Sequence, residues 1–159
     1  MKTIGVIGGG AWGTALAQIL SKSGKPVTLW AREPDVVSGV NQSHENKTFL
    51  PGVKLDEKLK ATSDLKEVVK SDILLPVTPT QFMRAALNEI KNDIAGKPLV
   101  ICCKGVELNT GLLPSQIAQE TAPNAEIAVL TGPTFASEAA KGLPFAVTLA
   151  AKDLKTAED

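Results

Sequence analysis

Short runs of β-branched and aliphatic residues alternate with segments of helical periodicity along most of this chain, and this alternation restricts the fold most. The runs that we predict as strands cover residues 3–7, 27–30, 73–77, 99–102, 127–130 and 145–149. Helical spacing predicts helices near residues 12–20, 33–42, 65–70, 81–94 and 112–121. Right-handed crossovers between such elements produce a mostly parallel sheet with helices on both faces, so the predicted fold class is α/β.

The composition excludes several classes of function. The 159 residues suffice for one domain with its own core. Basic and acidic residues number 17 each, which gives no electrostatic reason to bind nucleic acid or an anionic membrane. The single histidine, His44, and the adjacent Cys102 and Cys103 lack the spacing of a zinc site or a structural disulfide. We therefore expect a cytoplasmic domain with no bound metal, no nucleic-acid partner and no membrane insertion.

A glycine-rich turn, Gly8-x-Gly10-x-x-Gly13, connects the first predicted strand to the first predicted helix. In a dinucleotide-binding turn, the first glycine permits the tight turn, the second lets the backbone approach a pyrophosphate, and the third lets the helix pack closely on the strand. The pyrophosphate then meets free N–H groups at the positive end of a helix. The turn therefore predicts a dinucleotide site in a Rossmann-like domain, with Gly8, Gly10 and Gly13 as cofactor-binding residues.

The turn has two alternative interpretations. One is a glycine-rich turn that packs and binds nothing. The other is an apolar targeting leader, which the glycines disfavour because each costs about 1 kcal/mol in a helix interior relative to alanine.

The end of the second predicted strand bears on which dinucleotide is bound. An NAD-specific site places an acidic residue here, which accepts a hydrogen bond from the ribose 2′-hydroxyl. This chain has Ala31 and Arg32 instead, and only then Glu33. A guanidinium suits a 2′-phosphate, so we expect NADP to be favoured over NAD. The alternative is that Arg32 is a solvent-exposed side chain and Glu33 binds the ribose.

Two further features follow predicted strands. Lys104 comes directly after the strand at 99–102, at the carboxyl edge where ligands bind in this architecture, and can donate to a carbonyl oxygen or a phosphate. A second turn runs from strand through Gly132 into a helix over residues 131–141, with Thr134 and Ser137 placed to cap it and bind an anion. The simpler alternatives are a solvated lysine and an ordinary capped helix.

Residues 41–58 fit neither a strand nor a helix pattern, and we expect them to form a long connection over the surface.

Several segments occur in the order and spacing typical of one enzyme family. They are GVIGGGAWGTALA, VTLWAR, NKTFLPG, TPTQFMR, CKGVE and GPTFASEAAKGLPFAVTLA. Over essentially its whole length, the chain resembles the amino-terminal half of bacterial-type NAD(P)-dependent glycerol-3-phosphate dehydrogenases. The resemblance implies NAD(P)H as cofactor and reduction of dihydroxyacetone phosphate to sn-glycerol 3-phosphate, a step that feeds phospholipid synthesis.

The resemblance also implies roles for individual residues. Lys104 would contact both cofactor and substrate and act as a catalytic residue that polarises the substrate carbonyl. Gly132 and Thr134 would contact the substrate. The further positions that would contact the dinucleotide are Ala11, Trp12, Arg32, Phe82 and Ala136.

The resemblance implies a division of the protein as well. Residues 1–150 would form the dinucleotide-binding domain, and residues 151–159 would begin a linker to a carboxyl-terminal helical substrate domain that this chain lacks. In the family, the proton-transfer lysine and the clamp for the substrate phosphate lie in that domain, so we expect the 159-residue chain alone to be inactive. The sequence leaves open whether the full-length protein is a homodimer. The alternatives are a stand-alone dinucleotide-sensing module and another two-domain hydroxyacid dehydrogenase.

Pro76 departs from the family pattern, which has an aliphatic or small residue at this strand position. Proline removes one hydrogen-bond donor from the ladder, so we expect broken or shifted pairing near the end of this strand. The placement of Phe82 near the cofactor depends on that pairing.

Overall fold

A computed structural model describes residues 1–152 and residue 157. The strands within these residues are β1 Ile4–Ile7, β2 Val27–Trp30, β3 Lys60–Thr62, β4 Ile73–Pro76, β5 Pro98–Ile101, β6 Glu126–Thr131 and β7 Thr148–Ala151. The helices are α1 Ala11–Lys22, α2 Pro34–Ser38, α3 Leu65–Val68, α4 Thr80–Ile90, α5 Pro114–Thr121 and α6 Ala136–Ala140, and a π-helical turn covers Gly39–Ser43. None of the described helices is long and apolar enough to cross a membrane.

The strands form one sheet in the order β3-β2-β1-β4-β5-β6-β7. Every neighbouring pair is parallel except β6 and β7, which are antiparallel. This confirms the predicted α/β, mostly parallel, Rossmann-like architecture. The chain runs from β1 to β2 and β3 on one side and then crosses back to β4 on the other side of β1. Such a reversal opens a crevice at the carboxyl ends of the strands, where ligands bind in doubly wound folds.

The hydrophobic core lies on both faces of the sheet, because alternate residues of a strand point to opposite faces. Val6 of β1 packs with Leu16 of α1 on one face. The next residue, Ile7, packs with Leu74 of β4 and Leu87 of α4 on the other face. All five of these side chains are buried. Burial on both faces explains why the central strands are almost continuously apolar in sequence.

Most of the predicted elements are confirmed, with shifts at their ends. β7 begins three residues later than predicted, and the helix predicted over 33–42 is divided into α2 and the π-helical turn. β3 was missed because it has only three residues, of which Ala61 alone is buried. The predicted domain boundary at residue 150 falls within β7, and residues 153–156 and 158–159 of the predicted linker lie outside the described residues.

The prediction that residues 41–58 form a long connection over the surface is correct for most of the segment, but not for its buried apolar residues. Leu50, Val53 and Leu55 of this segment are buried in the same core as β1 and β2. Gln18 of α1 fixes the segment's backbone, because its Nε2 donates to the Lys54 carbonyl at 3.1 Å and its Oε1 accepts from a backbone N–H at 2.7 Å. The burial of these residues was not predicted because their irregular spacing matches neither a strand nor a helix pattern.

Pro76 does not disrupt the pairing of β4 with β1. The two strands stay in register to Ile7 and Pro76, and the following Val77 N–H donates to the Ile7 carbonyl at 2.8 Å. The Pro76 carbonyl accepts from the Cys102 N–H at 2.9 Å, on the β5 side. In an extended strand, the N–H and C=O of one residue point the same way, so the donor that proline lacks would have faced β5. The expectation of broken pairing was therefore wrong for the β1 side.

Candidate functional site

A cleft of about 870 Å³ opens at the carboxyl ends of the central strands. This volume is within the range of cofactor and small-ligand sites, roughly 300–1,000 Å³. The sequence-predicted site residues that line the cleft are Gly8, Gly10, Ala11, Trp12, Arg32, Phe82, Lys104, Thr134 and Ala136. The other two, Gly13 and Gly132, lie outside the cleft lining. The fold thus gathers residues that follow β1, β2, β4, β5 and β6 into one concave surface.

The three glycines of the first turn meet different physical requirements. Gly8 has φ +132°, a conformation that residues with a side chain rarely adopt. A Cβ on Gly13 would lie 1.9 Å from the Gly8 carbonyl oxygen, so the close contact of α1 with the turn leaves no room for one. A Cβ on Gly10 would have no protein atom within 4 Å. Any need for glycine at position 10 therefore comes from the cleft side and not from the protein.

The amino-terminal end of α1 faces this cleft. Gly10 is the N-cap, and it provides no side chain to satisfy the first N–H groups of the helix. The first turn of α1, which the structure describes in full, has no acidic residue. The positive end of this 12-residue helix is therefore uncompensated by the protein and favours a bound anion.

Arg32 lies at the mouth of the cleft, where β2 ends. Its side chain is 72% exposed, and its Nη2 is 3.4 Å from Glu33 Oε1. Its guanidinium carbon lies 5.6 Å from the ring centroid of Phe82, on α4 across the cleft. Both contacts are solvent-exposed and weak, about 1 kcal/mol or less each, so the guanidinium can be drawn to a stronger anion. Glu33 also lines the cleft, so the geometry leaves both the phosphate and the ribose interpretation open.

Lys104 lies on the loop after β5, and the first turn of α4 holds the backbone of this loop. Thr80 Oγ1 donates to the Lys104 carbonyl oxygen at 2.7 Å. Gln81 Nε2 donates to the Val106 carbonyl at 2.8 Å, and its Oε1 accepts from the Leu108 N–H at 3.0 Å. The Lys104 side chain itself is exposed and lines the cleft. A fixed backbone with an exposed ammonium group is suited to contact a ligand.

An ion pair secures the same loop from a second side. Arg84 binds Glu107 through two parallel hydrogen bonds of 2.9 and 2.8 Å, and its Nη1 also donates to Glu120 at 2.9 Å. Thr110 Oγ1 donates to Glu107 at 2.6 Å. The Arg84 guanidinium and then the Thr110 hydroxyl lower the pKa of Glu107 to about 2, so this carboxylate stays ionised throughout the neutral range. Sequence reasoning assigned no role to Arg84 or Glu107, although both lie in the motifs that carry the family resemblance.

The second turn differs from its prediction. α6 has five residues and its N-cap is Phe135, so capping by Thr134 and Ser137 was wrong. Thr134 Oγ1 instead donates to the Ala146 carbonyl at 3.3 Å, towards the strand that returns as β7. A Cβ on Gly132 would lie 2.5 Å from the same oxygen, so Gly132 permits the close approach of these two chain segments.

The cysteines beside the cleft are unsuited to thiolate chemistry. Both are free, and burial raises the pKa of Cys103 to about 11 and that of Cys102 to about 12. Both thiols are therefore neutral near pH 7. Among residues 1–152 and 157, no group of three or more His, Cys, Asp and Glu side chains is arranged to hold a metal ion.

Sequence reasoning missed other residues of the cleft wall. Phe49, from the connection over residues 41–58, lines the cleft, as does Trp30 at the end of β2. Thr78 lines it between β4 and α4. Its position directly after a predicted strand was the available signal, since the ends of these strands surround the crevice.

The chain is similar to known proteins over almost its whole length. The family described as NAD-dependent glycerol-3-phosphate dehydrogenase N-terminus matches residues 3–157. The glycerol-3-phosphate dehydrogenase (NAD(P)+) of Parvibaculum lavamentivorans is 52% identical over 158 residues, which are 99% of this chain and 47% of that protein. The enzyme of the same name from Caulobacter vibrioides is 50% identical over 153 residues, or 96% and 46% of the two chains.

Solved structures are similar over the same region. The glycerol-3-phosphate dehydrogenase of Coxiella burnetii superposes with a TM-score of 0.91 at 31% identity, covering 99% of this chain and 49% of that one. The corresponding Plasmodium falciparum structure gives a TM-score of 0.90 at 25% identity, covering 99% and 48%. The chain thus spans about half the length of the relatives it matches.

Proposed function

This chain belongs to the family of amino-terminal domains of NAD-dependent glycerol-3-phosphate dehydrogenases, and on that premise we propose that it binds NAD(P)H for the reduction of dihydroxyacetone phosphate to sn-glycerol 3-phosphate. The observation that carries the proposal is that one cleft holds both the glycine turn at the start of α1 and Lys104 at the end of β5. The family match favours this activity over a stand-alone dinucleotide sensor and over a different hydroxyacid dehydrogenase.

The residues around the glycine turn fit the pyrophosphate of a dinucleotide. The open space beside Gly10 gives a phosphate access to the backbone, and the first N–H groups of α1 are available as donors. Ala11 and Trp12 continue this surface, and Phe82 and Ala136 lie on its other walls. These residues would hold the cofactor by backbone hydrogen bonds at its centre and by apolar contact on either side.

Arg32 is the residue that we propose favours NADP over NAD. Its guanidinium is held only by exposed contacts, to Glu33 and to the Phe82 ring. A 2′-phosphate carries one to two negative charges near pH 7 and would compete well against those contacts. Ala31, buried beside the glycine turn, leaves the ribose pocket without the acidic side chain of an NAD-specific site.

Lys104 is the catalytic residue that this half of the protein contributes. When bound, the nicotinamide supplies a hydride for the C2 carbonyl carbon of the substrate. The Lys104 ammonium would donate to the carbonyl oxygen, orient it, and stabilise the negative charge that develops there. Thr80 and Gln81 limit the movement of the loop that carries it. Thr134 would contact the substrate through its hydroxyl, and Gly132 through the backbone of the second turn.

Two measurements test this proposal. Calorimetric titration of residues 1–159 with NADPH and NADH should show saturable binding of at least one cofactor. Reduction of dihydroxyacetone phosphate should be absent for residues 1–159 and present when they are followed by the carboxyl-terminal half of the Parvibaculum lavamentivorans relative. Turnover by residues 1–159 alone, at rates typical of enzymes (about 1–1,000 per second), would contradict the assignment of proton transfer to the other half.

The cellular setting is inferred from the resemblance alone. A cytoplasmic location and a part in phospholipid synthesis remain predictions that growth and fractionation experiments can check.

A further inference from the structure

A buried polar cluster joins the glycine turn to the segment that covers α1. Asn46 and Thr14 are 1% and 0% exposed. Asn46 Nδ2 donates to the Gly9 carbonyl oxygen at 2.9 Å and to Thr14 Oγ1 at 2.8 Å. Thr14 Oγ1 donates to the same Gly9 oxygen at 3.2 Å. Two side chains from the protein interior therefore hold one carbonyl of the turn.

The direction of the Gly9 carbonyl determines the direction of the next N–H group. A peptide unit is planar and trans, so its C=O and the following N–H point in opposite directions. The described residues contain no cis peptide bond. The Gly9 carbonyl points inward to Asn46 and Thr14, so the Gly10 N–H points outward, on the side where Gly10 lines the cleft.

This peptide unit would have little intrinsic preference for that orientation. It lies between Gly9 and Gly10, and glycine populates backbone conformations that other residues avoid. A rotation of the unit would turn the Gly10 N–H inward and present a carbonyl oxygen to the cleft. A carbonyl in that position would repel a phosphate where an N–H would bind it.

Asn46 is itself held firmly enough to set this orientation. Its Oδ1 accepts from the Phe49 N–H at 3.1 Å, and its carbonyl accepts from the Leu50 N–H at 2.9 Å. The buried amide thus has partners for its oxygen and for both of its N–H groups. The Asn46 side chain thereby also holds the backbone N–H of Phe49, a residue that lines the cleft.

We propose that Asn46 and Thr14 are positioning residues that hold the Gly10 N–H towards the pyrophosphate of a bound dinucleotide. The proposal rests on the proposed function, because it presupposes that this cleft binds NAD(P)H. It assigns a binding task to Asn46, in a segment that looked like a surface connection in the sequence.

Substitutions at Thr14 and Asn46 test the proposal. Thr14→Val keeps the shape of the side chain but removes the hydroxyl, and Thr14→Ser restores the hydroxyl. Asn46→Ala removes the other donor. Asn41→Ala is the matched control, because Asn41 makes two 2.8 Å hydrogen bonds to Ala61 from the same segment and does not contact the turn. Circular dichroism establishes that each variant is folded.

Calorimetry with NADPH, and with ADP as a smaller ligand that keeps the diphosphate, supplies the first readout. Thr14→Val and Asn46→Ala should each weaken binding of both ligands by roughly tenfold, the equivalent of one lost hydrogen bond. Thr14→Ser and Asn41→Ala should stay within about twofold of the wild-type affinity, a change of less than about 0.5 kcal/mol in binding free energy.

The amide proton of Gly10 supplies a second readout that a purely structural role would not change. In the wild type, addition of ADP should move this resonance downfield as the N–H binds phosphate. In Thr14→Val the shift should be reduced, even at concentrations that saturate the variant.

The outcomes separate the two proposals. Wild-type affinity and a wild-type Gly10 shift in Thr14→Val would overturn the positioning role, as would a Thr14→Ser variant that binds as weakly as Thr14→Val. If Asn46→Ala does not fold, the two Thr14 variants decide the matter. A wild-type protein that binds neither NADPH nor ADP would contradict the proposed function, and the positioning role with it.

Discussion

Gly10→Val should weaken dinucleotide binding strongly and leave the fold intact. Gly10 has φ −67° and ψ −180°, an extended conformation open to any residue, and a Cβ there meets no protein atom within 4 Å. A poorer N-cap costs about 1 kcal/mol. Valine also restricts the unfolded chain more than glycine does, which stabilises the folded state by about 0.4–1 kcal/mol. The melting temperature should therefore change by no more than about 2 °C, the shift expected for about 0.5 kcal/mol in a domain of this size.

The loss of affinity follows from the same geometry. The two methyl groups of valine would occupy the open side of Gly10, where the pyrophosphate must approach. Displacement of the phosphate breaks at least one charge-assisted N–H bond, which contributes roughly 1.5–3 kcal/mol. The dissociation constant for NADPH should therefore rise by roughly 10- to 150-fold.

Gly13→Ala is the comparison variant, because it should lower the stability of the fold. Its Cβ would lie 1.9 Å from the Gly8 carbonyl oxygen, and a comfortable C···O distance is about 3.3 Å. Backbone held between β1 and α1 would have to move by roughly 1.4 Å, at a cost of about 3 kcal/mol. The melting temperature should fall by about 6–12 °C.

Thermal denaturation followed by circular dichroism, together with calorimetric titration of NADPH, measures both effects. Gly10→Val should lower the affinity for NADPH with little change in stability, and Gly13→Ala should lower the stability. Unchanged NADPH affinity in folded Gly10→Val would show that the turn does not hold the pyrophosphate. An equally stable Gly13→Ala would show that α1 is packed less tightly on the turn than the distance indicates.

Three further substitutions have distinct expected outcomes. Arg32→Ala should weaken NADPH by about ten- to a hundredfold and NADH little, since a charge-assisted hydrogen bond contributes roughly 1.5–3 kcal/mol; an equal change in both dissociation constants would show that Arg32 does not bind the 2′-phosphate. Lys104→Ala, in the two-half protein described above, should lower turnover about 10²- to 10³-fold with little change in melting temperature, and near-normal turnover would make it a solvated lysine. Glu107→Gln should lower the melting temperature at neutral pH. Because the folded-state pKa of Glu107 is about 2, below its ordinary 4.5, the difference from wild type should shrink as the pH falls from 4.5 towards 2; a difference that is constant over that range would exclude the ion pair as its cause.

The central sheet could be predicted from the sequence because each of its strands satisfies a local rule. β1, β2, β4 and β5 are short, apolar and separated by helical periods, so periodicity alone locates them. β3, α2 and α6 have three to five residues each, which is too few to show a period. Their positions are set by packing against longer elements, which no local pattern records.

The residues of the candidate site also differ in whether a local sequence pattern could locate them. The glycine turn, Arg32 and Lys104 were predictable because strand ends of a parallel sheet meet at one edge, and each residue follows a recognisable strand. Asn46 was not, because its hydrogen bonds reach 32 and 37 residues along the chain to Thr14 and Gly9. No sequence pattern distinguishes a buried asparagine among irregularly spaced apolar residues from an exposed one, because only the fold determines its burial.

The first turn of α4 shows why a short motif can carry so much of the family resemblance. Thr80 and Gln81 hold the backbone of the Lys104 loop by hydrogen bonds. The ring of Phe82, the next residue, lies 5.6 Å from the guanidinium carbon of Arg32. One helical turn therefore sets the distance between the group that we propose selects the cofactor and the group that we propose polarises the substrate. A change in the start of α4 would move both groups together, so the spacing of this motif is constrained by its contacts with the Lys104 loop and with Arg32.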